Sequence, residues 1–135
     1  MKIKLIHFGA EQPPKRGHYN DAGADVFAMH DTCLEPGETV SLGLGFGVEI
    51  PDGYMGLLFS RSSMAAKGVA CEMPPIDSGY RGEIHAVLTN HSRSEYQIRK
   101  GDRIGQLVVL PIIYAEFVDA LGEERSTGAF GSTGR

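Results

Sequence analysis

Apolar residues fall along this chain in short runs rich in Val, Ile, Leu and Phe: IKLIHF, ADVFAM, TVSLGLGFGVEI, YMGLLFS, EIHAVLTN, YQIRK, RIGQLVVLPIIY and AEFVDA. Gly, Pro and Asp separate them. Short strands at such spacing predict an all-β sandwich or barrel. One stretch alone, SSMAAKG, has helical character, with a Ser cap expected at its start and a glycine at its end. The run LGLGFG spaces its glycines as nucleotide-binding loops do, but the following VEIPDGYMG reads as strand and turn instead of helix, which discounts a dinucleotide fingerprint.

Composition narrows the class. A chain of 135 residues predicts one domain with its own core. A net charge of -4 argues against a general nucleic-acid binder, so any anionic ligand must meet a local cluster of Lys and Arg. No apolar run has the roughly 18 residues of a membrane span, and MKIKLIHFGAEQPP turns polar too early for a secretory signal. A soluble, cytoplasmic protein is expected, with neither nucleic acid nor membrane as partner. Cys33 and Cys71 form no CxxC motif, and His7, His18, His30, His85 and His91 are scattered singly, so no zinc site is written in the spacing. The sequence NHS at Asn90 matches a glycosylation acceptor, which the expected location makes a chance match.

Five segments crowd charge and glycine between the predicted strands: DAGADV from Asp21, SRSSMAAKG from Ser60, PPIDSGYRGEI from Pro74, GDRIGQL from Gly101, and the tail ERSTGAFGSTGR. Singly, each has an ordinary reading as a turn, a helix start or a frayed end. Jointly they are complementary. SRSS places hydroxyls, free amides and a guanidinium at a helix start, where anions are favoured. Asp25 and Asp77 are hard oxygen donors suited to a hydrated magnesium ion or to orienting a water. Arg103 and Gln106 add charged and neutral donors. The tail reads either as a loose end or as a lid that orders over a ligand, with Phe130 as stacking plate.

In order and wording, the five segments resemble those of the homotrimeric dUTP pyrophosphatase (dUTPase) family over nearly the whole chain. That resemblance implies a distorted, jelly-roll-like β-barrel over residues 1–120 with one short helix, and a flexible C-terminal lid over 121–135. It implies hydrolysis of dUTP to dUMP and pyrophosphate by water attack on the α-phosphate, with Mg2+ on the triphosphate, which limits uracil in DNA and supplies dUMP for thymidylate synthesis. By similarity Asp77 is the general base, and Asp25 holds the metal through water. Arg61, Ser62, Ser63 and Gln106 grip the phosphates. Tyr80 is the sugar gate against the C2′ position of deoxyribose, and backbone groups near VACEMPPI read uracil. In the lid, Phe130 stacks on the base and Arg125 reaches the γ-phosphate, while Gly131, Ser132 and Thr133 close around the phosphates. Each site in such a homotrimer draws on three chains.

The chain departs from the family pattern in places. Ser63 stands where a glycine is usual, and the uracil hairpin is a few residues short, with Cys71 near the place of a customary Asn. Ser126 and Ala129 replace two lid glycines. SRSS and IDSGYRGEI also resemble the dCTP deaminases, which share the fold, but the carboxylate these need on the following strand is replaced by Val87. A third reading is a nucleotide-gated regulatory protein that presents its ordered tail to a partner.

Overall fold

The computed structural model describes residues 1–122. The predicted lid residues Arg125, Phe130, Gly131, Ser132 and Thr133, with the mobility expected of them, lie outside the described residues.

The described chain is all-β with one short helix. Its strands are β1 (Lys4–His7), β2 (Ala24–Phe27), β3 (Thr32–Leu34), β4 (Thr39–Gly43), β5 (Phe46–Glu49), β6 (Tyr54–Phe59), β7 (Val69–Glu72), β8 (His85–Asn90), β9 (Tyr96–Ile98) and β10 (Arg103–Pro111), and α1 (Ser62–Ala66) lies between β6 and β7. Hydrogen bonding divides them into four antiparallel sheets, β1-β5, β2-β10-β6, β3-β9 and β4-β8-β7, and these do not join into a closed barrel. The sheets enclose a single core that includes Val26, Leu34, Leu44, Ile50, Leu58, Leu88, Ile98 and Ile104. Strand β8 shows why: Ala86, Leu88 and Asn90 alternate into the interior while His85, Val87 and Thr89 face outward, the period of two that a half-buried strand imposes.

Asn90 is the buried polar side chain of that strand. Its amide donates to the carbonyls of Leu34 (3.0 Å) and Ser94 (2.8 Å), and its oxygen accepts from the Ser92 N–H (3.0 Å) and hydroxyl (2.7 Å). Full pairing removes the penalty of burying an amide. A side chain with no exposed surface is closed to a sugar-transferring enzyme, which gives the NHS match a structural reason to be idle.

Three local expectations need correction. AEFVDA, predicted as a strand, forms none. After Ile112 N–H donates to the Gly53 carbonyl (2.9 Å) and the Tyr114 hydroxyl accepts the Gly53 N–H (2.8 Å), the chain runs on without a ladder partner among the described residues. Ile113, Phe117 and Leu121 are left 90%, 94% and 87% exposed. Second, α1 has no Ser cap: Arg61 occupies the N-cap, with no side-chain cap bond. Ser60, one residue earlier, turns its hydroxyl to the Cys71 N–H (2.8 Å) instead. The expected glycine stop does stand, with Gly68 at φ +85° just past the Lys67 C-cap. Third, β3 and β7 are absent from the predicted strands, because runs of three and four residues are too short to show a pattern.

Candidate active site

The residues expected to grip phosphate gather where β2 meets β10. Their register sets Asp25 opposite Gln106. Arg61, at the N-cap of α1, brings its Nε to 3.9 Å from one Asp25 oxygen, and an Arg103 guanidinium nitrogen lies 3.7 Å from the other. Both separations exceed a direct hydrogen bond, so Asp25 orients the two cations without quenching either. Gln106 donates its side-chain amide to the Ser60 carbonyl at 3.2 Å. That approach needs a glycine just before the facing strand: a Cβ at Gly23 would stand 2.9 Å from both Cβ and Oε1 of Gln106. Ser62 and Ser63 are exposed on the first turn of α1, ahead of its first intrahelical bond from Met64 N–H to the Arg61 carbonyl (3.1 Å), so their amides face away from the helix ladder.

Arg61 and Arg103 open onto a polar cavity of about 370 Å3, with Tyr96 and Asp102 on its wall. Burial pushes the Tyr96 phenol above its ordinary pKa, and Asp102 adds to the rise while Arg61 opposes it. Tyr96 therefore stays a hydroxyl donor at neutral pH.

Asp77 and Tyr80 stand elsewhere. They line a second cavity of about 230 Å3 together with Ile76, Glu83, His85 and Val87, and the two cavities share no wall residue. Ile76, the residue before Asp77, is locked to Gly56 by a reciprocal pair of backbone bonds (3.0 and 2.8 Å). The Asp77 carbonyl then accepts the Tyr80 N–H (3.0 Å) to close a turn, and neighbouring Ser78 donates its hydroxyl to Asp52 (3.0 Å). The Asp77 carboxylate is exposed and makes no side-chain hydrogen bond or ion pair among the described residues. The Tyr80 hydroxyl donates to the Glu83 carbonyl (2.7 Å), laying the ring over Gly82, where a Cβ would meet the tyrosine hydroxyl at 2.5 Å.

The strand register exposes a feature that sequence reasoning did not single out. On β8 and its extensions the even positions bond toward β4, as in Leu44 N–H to the Ile84 carbonyl (2.9 Å), and the odd positions toward β7, as in His91 N–H to the Gly68 carbonyl (2.8 Å). The β7 ladder ends at Glu72↔Val87, so the next odd position, His85, faces Pro74, which has no N–H. The main-chain N–H and C=O of His85 thus point into the hairpin mouth, unpaired among the described residues. A donor beside an acceptor is the complement of an imide edge. The only signal in the sequence was the doubled proline opposite.

Asp25 beside two guanidiniums, with Asp102 on the same wall already accepting the Arg99 N–H (2.9 Å), gives too few oxygen donors for a resident magnesium cage. It does fit the outer shell of a hydrated ion that arrives on a polyphosphate, since Mg2+ keeps several of its waters.

Comparison with known proteins places the chain in a family. The dUTPase family model matches residues 11–134. The deoxyuridine 5'-triphosphate nucleotidohydrolase of Clostridium tetani (strain Massachusetts / E88) is 40% identical over 141 residues, covering 100% of this chain and 97% of its own. That of Nocardia farcinica (strain IFM 10152) is 43% identical over 128 residues, covering 90% and 78%. Among solved structures, a mutant dUTPase from phage phi11 of S. aureus, in which a structural Mg(II) ion is coordinated, superposes with a TM-score of 0.83 at 29% identity, covering 90% of this chain and 97% of that one. A mutant of Staphylococcus bacteriophage 80alpha dUTPase with dUpNHpp gives 0.84 at 28%, covering 92% and 99%.

Proposed function

This chain belongs to the dUTPase family, and from that we propose that it hydrolyses dUTP to dUMP and pyrophosphate, limiting uracil in DNA and supplying dUMP. The observation that carries the reading is an Asp77 carboxylate that, among the described residues, has no side-chain partner and stands in the same cavity as Tyr80. A carboxylate with open lone pairs can hold a water and take its proton as the oxygen approaches the α-phosphorus.

The rest of the chemistry is positioning and charge neutralisation, which is most of what phosphoryl transfer requires. Arg61, the Ser62 and Ser63 amides and hydroxyls, and Gln106 grip the phosphate chain, with Arg103 and Tyr96 supplying further donors. Asp25 lies between both guanidiniums and would accept from the waters of a bound magnesium ion, which would offset triphosphate charge. The Tyr80 ring closes the space at C2′, where a ribose hydroxyl would collide, and the open main-chain N–H and C=O of His85 read the N3–H and a carbonyl of uracil. Cytosine presents an acceptor at N3, and pairing would fail there.

The two-cavity layout supports assembly as a homotrimer, in which the Asp77 side of one chain meets the Arg61 side of another. The exposed Ile113, Phe117 and Leu121 supply an apolar surface for such contacts. Phe130 and Arg125, with Gly131, Ser132 and Thr133, close each site as a lid by family likeness. Deamination of dCTP is disfavoured, because Val87 forms an aliphatic wall of the Asp77 cavity where that chemistry needs a carboxylate.

A panel of dUTP, UTP, dCTP and dTTP with magnesium, scored for pyrophosphate and ammonia, tests the proposal. Pyrophosphate from dUTP alone is expected, with the rate lowered about 10²–10⁴-fold in Asp77→Asn. Ammonia from dCTP would replace this reading with the deaminase, and turnover in neither form would leave a nucleotide-gated binder.

A further inference from the structure

The glycine run set aside as a dinucleotide fingerprint has another use. Gly43 and Gly47 flank Gly45 at alternate positions where β4 passes into β5, and both lie against the segment that follows Tyr80. The Gly45 N–H donates to the Glu83 carboxylate at 2.8 Å. A Cβ at Gly43 would stand 2.5 Å from that same carboxylate oxygen, and a Cβ at Gly47 would stand 2.5 Å from the Gly82 carbonyl oxygen. Main-chain bonds from Leu44 N–H to the Ile84 carbonyl (2.9 Å) and from Ile84 N–H to the Phe46 carbonyl (2.8 Å) fasten the next residue to the same run. The carbonyl of Glu83 is in turn what the Tyr80 hydroxyl donates to, at 2.7 Å, with the ring lying over Gly82.

We propose that Glu83, seated on the Gly43–Gly47 backbone, is a positioning residue that fixes the tilt of the Tyr80 ring and so sets discrimination between deoxyribose and ribose nucleotides. The inference rests on Tyr80 being the wall at C2′. The physics is rigidity: an apolar wall that can yield rejects an added hydroxyl only about 100-fold, and stronger rejection needs a wall that cannot move aside. Each contact removes one freedom. The hydroxyl bond fixes the outer edge of the ring, the absence of a Cβ at Gly82 lets the ring lie flat, and the carboxylate on Gly45 keeps residue 83 from shifting with it. Glu83 needs only to accept a hydrogen bond, so its amide counterpart can serve.

The test compares kcat/KM for dUTP with that for UTP in purified wild-type protein and in Glu83→Ala, Glu83→Gln, Gly43→Ala, Tyr80→Phe and Tyr80→Ala. A ratio of two substrates on one preparation cancels the amount of folded enzyme, so lost stability alone does not move it. Glu83→Ala, which strips Gly45 of its acceptor, and Gly43→Ala, which displaces the carboxylate, should each lower the ratio roughly tenfold. Glu83→Gln should restore it to within about twofold of wild type. Tyr80→Phe, which keeps the ring and severs the link, should fall with Glu83→Ala and carries the test should the latter fail to fold. An unchanged ratio in Glu83→Ala and Tyr80→Phe beside a collapsed one in Tyr80→Ala would overturn the positioning role while leaving the wall. Equal losses in Glu83→Gln and Glu83→Ala would overturn the hydrogen-bond account. A ratio unmoved by Tyr80→Ala would remove the wall itself, and wild-type protein that leaves dUTP intact would remove the functional reading beneath both.

Discussion

Asp25 and Asp77 are the two carboxylates given a part in the proposed hydrolysis, and their surroundings differ. Asp25 is half-buried on a paired strand between the guanidiniums of Arg61 and Arg103, whereas Asp77 is exposed on a turn with no side-chain partner among the described residues. The first already has its charge engaged with cations, which suits it to arranging donors around phosphate. The second has open lone pairs, which suits it to hold and deprotonate water. Identical side chains thus receive different work from their environments, as in other enzymes with two carboxylates.

Mixing variants breaks the comparison most directly, because the proposed trimer takes its two carboxylates from different chains. Arg61→Ala and Asp77→Asn proteins should each be nearly inactive alone. Unfolded and refolded as an equal mixture, they should recover roughly a quarter of wild-type activity, the share of random trimer sites that draw an intact Asp77 and an intact Arg61 from separate chains. Recovery of none would place both residues in one chain's site and dissolve the division.

A smaller effect sharpens the strand side alone. Gly23→Ala should push Gln106 off its seat and cost one hydrogen bond to charged phosphate, raising KM for dUTP roughly tenfold. The dUTP to UTP ratio should stay as it was, since that belongs to Tyr80. Steady-state kinetics on both nucleotides separates the outcomes.

The smallest effect concerns the strand that ties the two sides together. Cys71 on β7 donates its N–H to Ser60, whose carbonyl receives Gln106. Burial, with Glu72 adding to it, pushes the Cys71 thiol from 9.0 up to about 11. A raised folded pKa means that its contribution to stability is complete below pH 9 and is lost as the pH climbs toward 11, where the unfolded chain ionises first. Denaturant titrations should show about 1 kcal/mol lost between about pH 9 and pH 10, and a shallower slope in Cys71→Ala.

Much of this was legible in the sequence, for reasons that can be named. The all-β class followed from apolar runs long enough to show their period, as in β8 and β10, and the order of five polar segments nominated Asp25, Arg61, Gln106, Asp77 and Tyr80 for the site. What escaped depends on partners far along the chain. AEFVDA has a strand's composition, but composition cannot supply a neighbour, and none pairs with it among the described residues. The serines of SRSS suggested a cap, yet Ser60 found a better donor in Cys71, eleven residues on. Gly43 and Gly47 looked like parts of a loop made for a ligand because the contacts that require them, at Glu83 and Gly82, come almost forty residues later, while Gly45 between them is required by its φ of +76° and by Met29 and Ala10. The separation of Asp77 from Arg61 into two cavities could not be read from their spacing at all.

The extended segment after Pro111, with Ile113, Phe117 and Leu121 almost wholly open, bears on how durable the molecule is. In the proposed trimer, apolar area on that segment leaves water only when a neighbour arrives, so part of the free energy favouring the folded chain is borrowed from other copies. Durability then becomes a property of the solution as well as of the polypeptide, and it scales with how crowded the protein is.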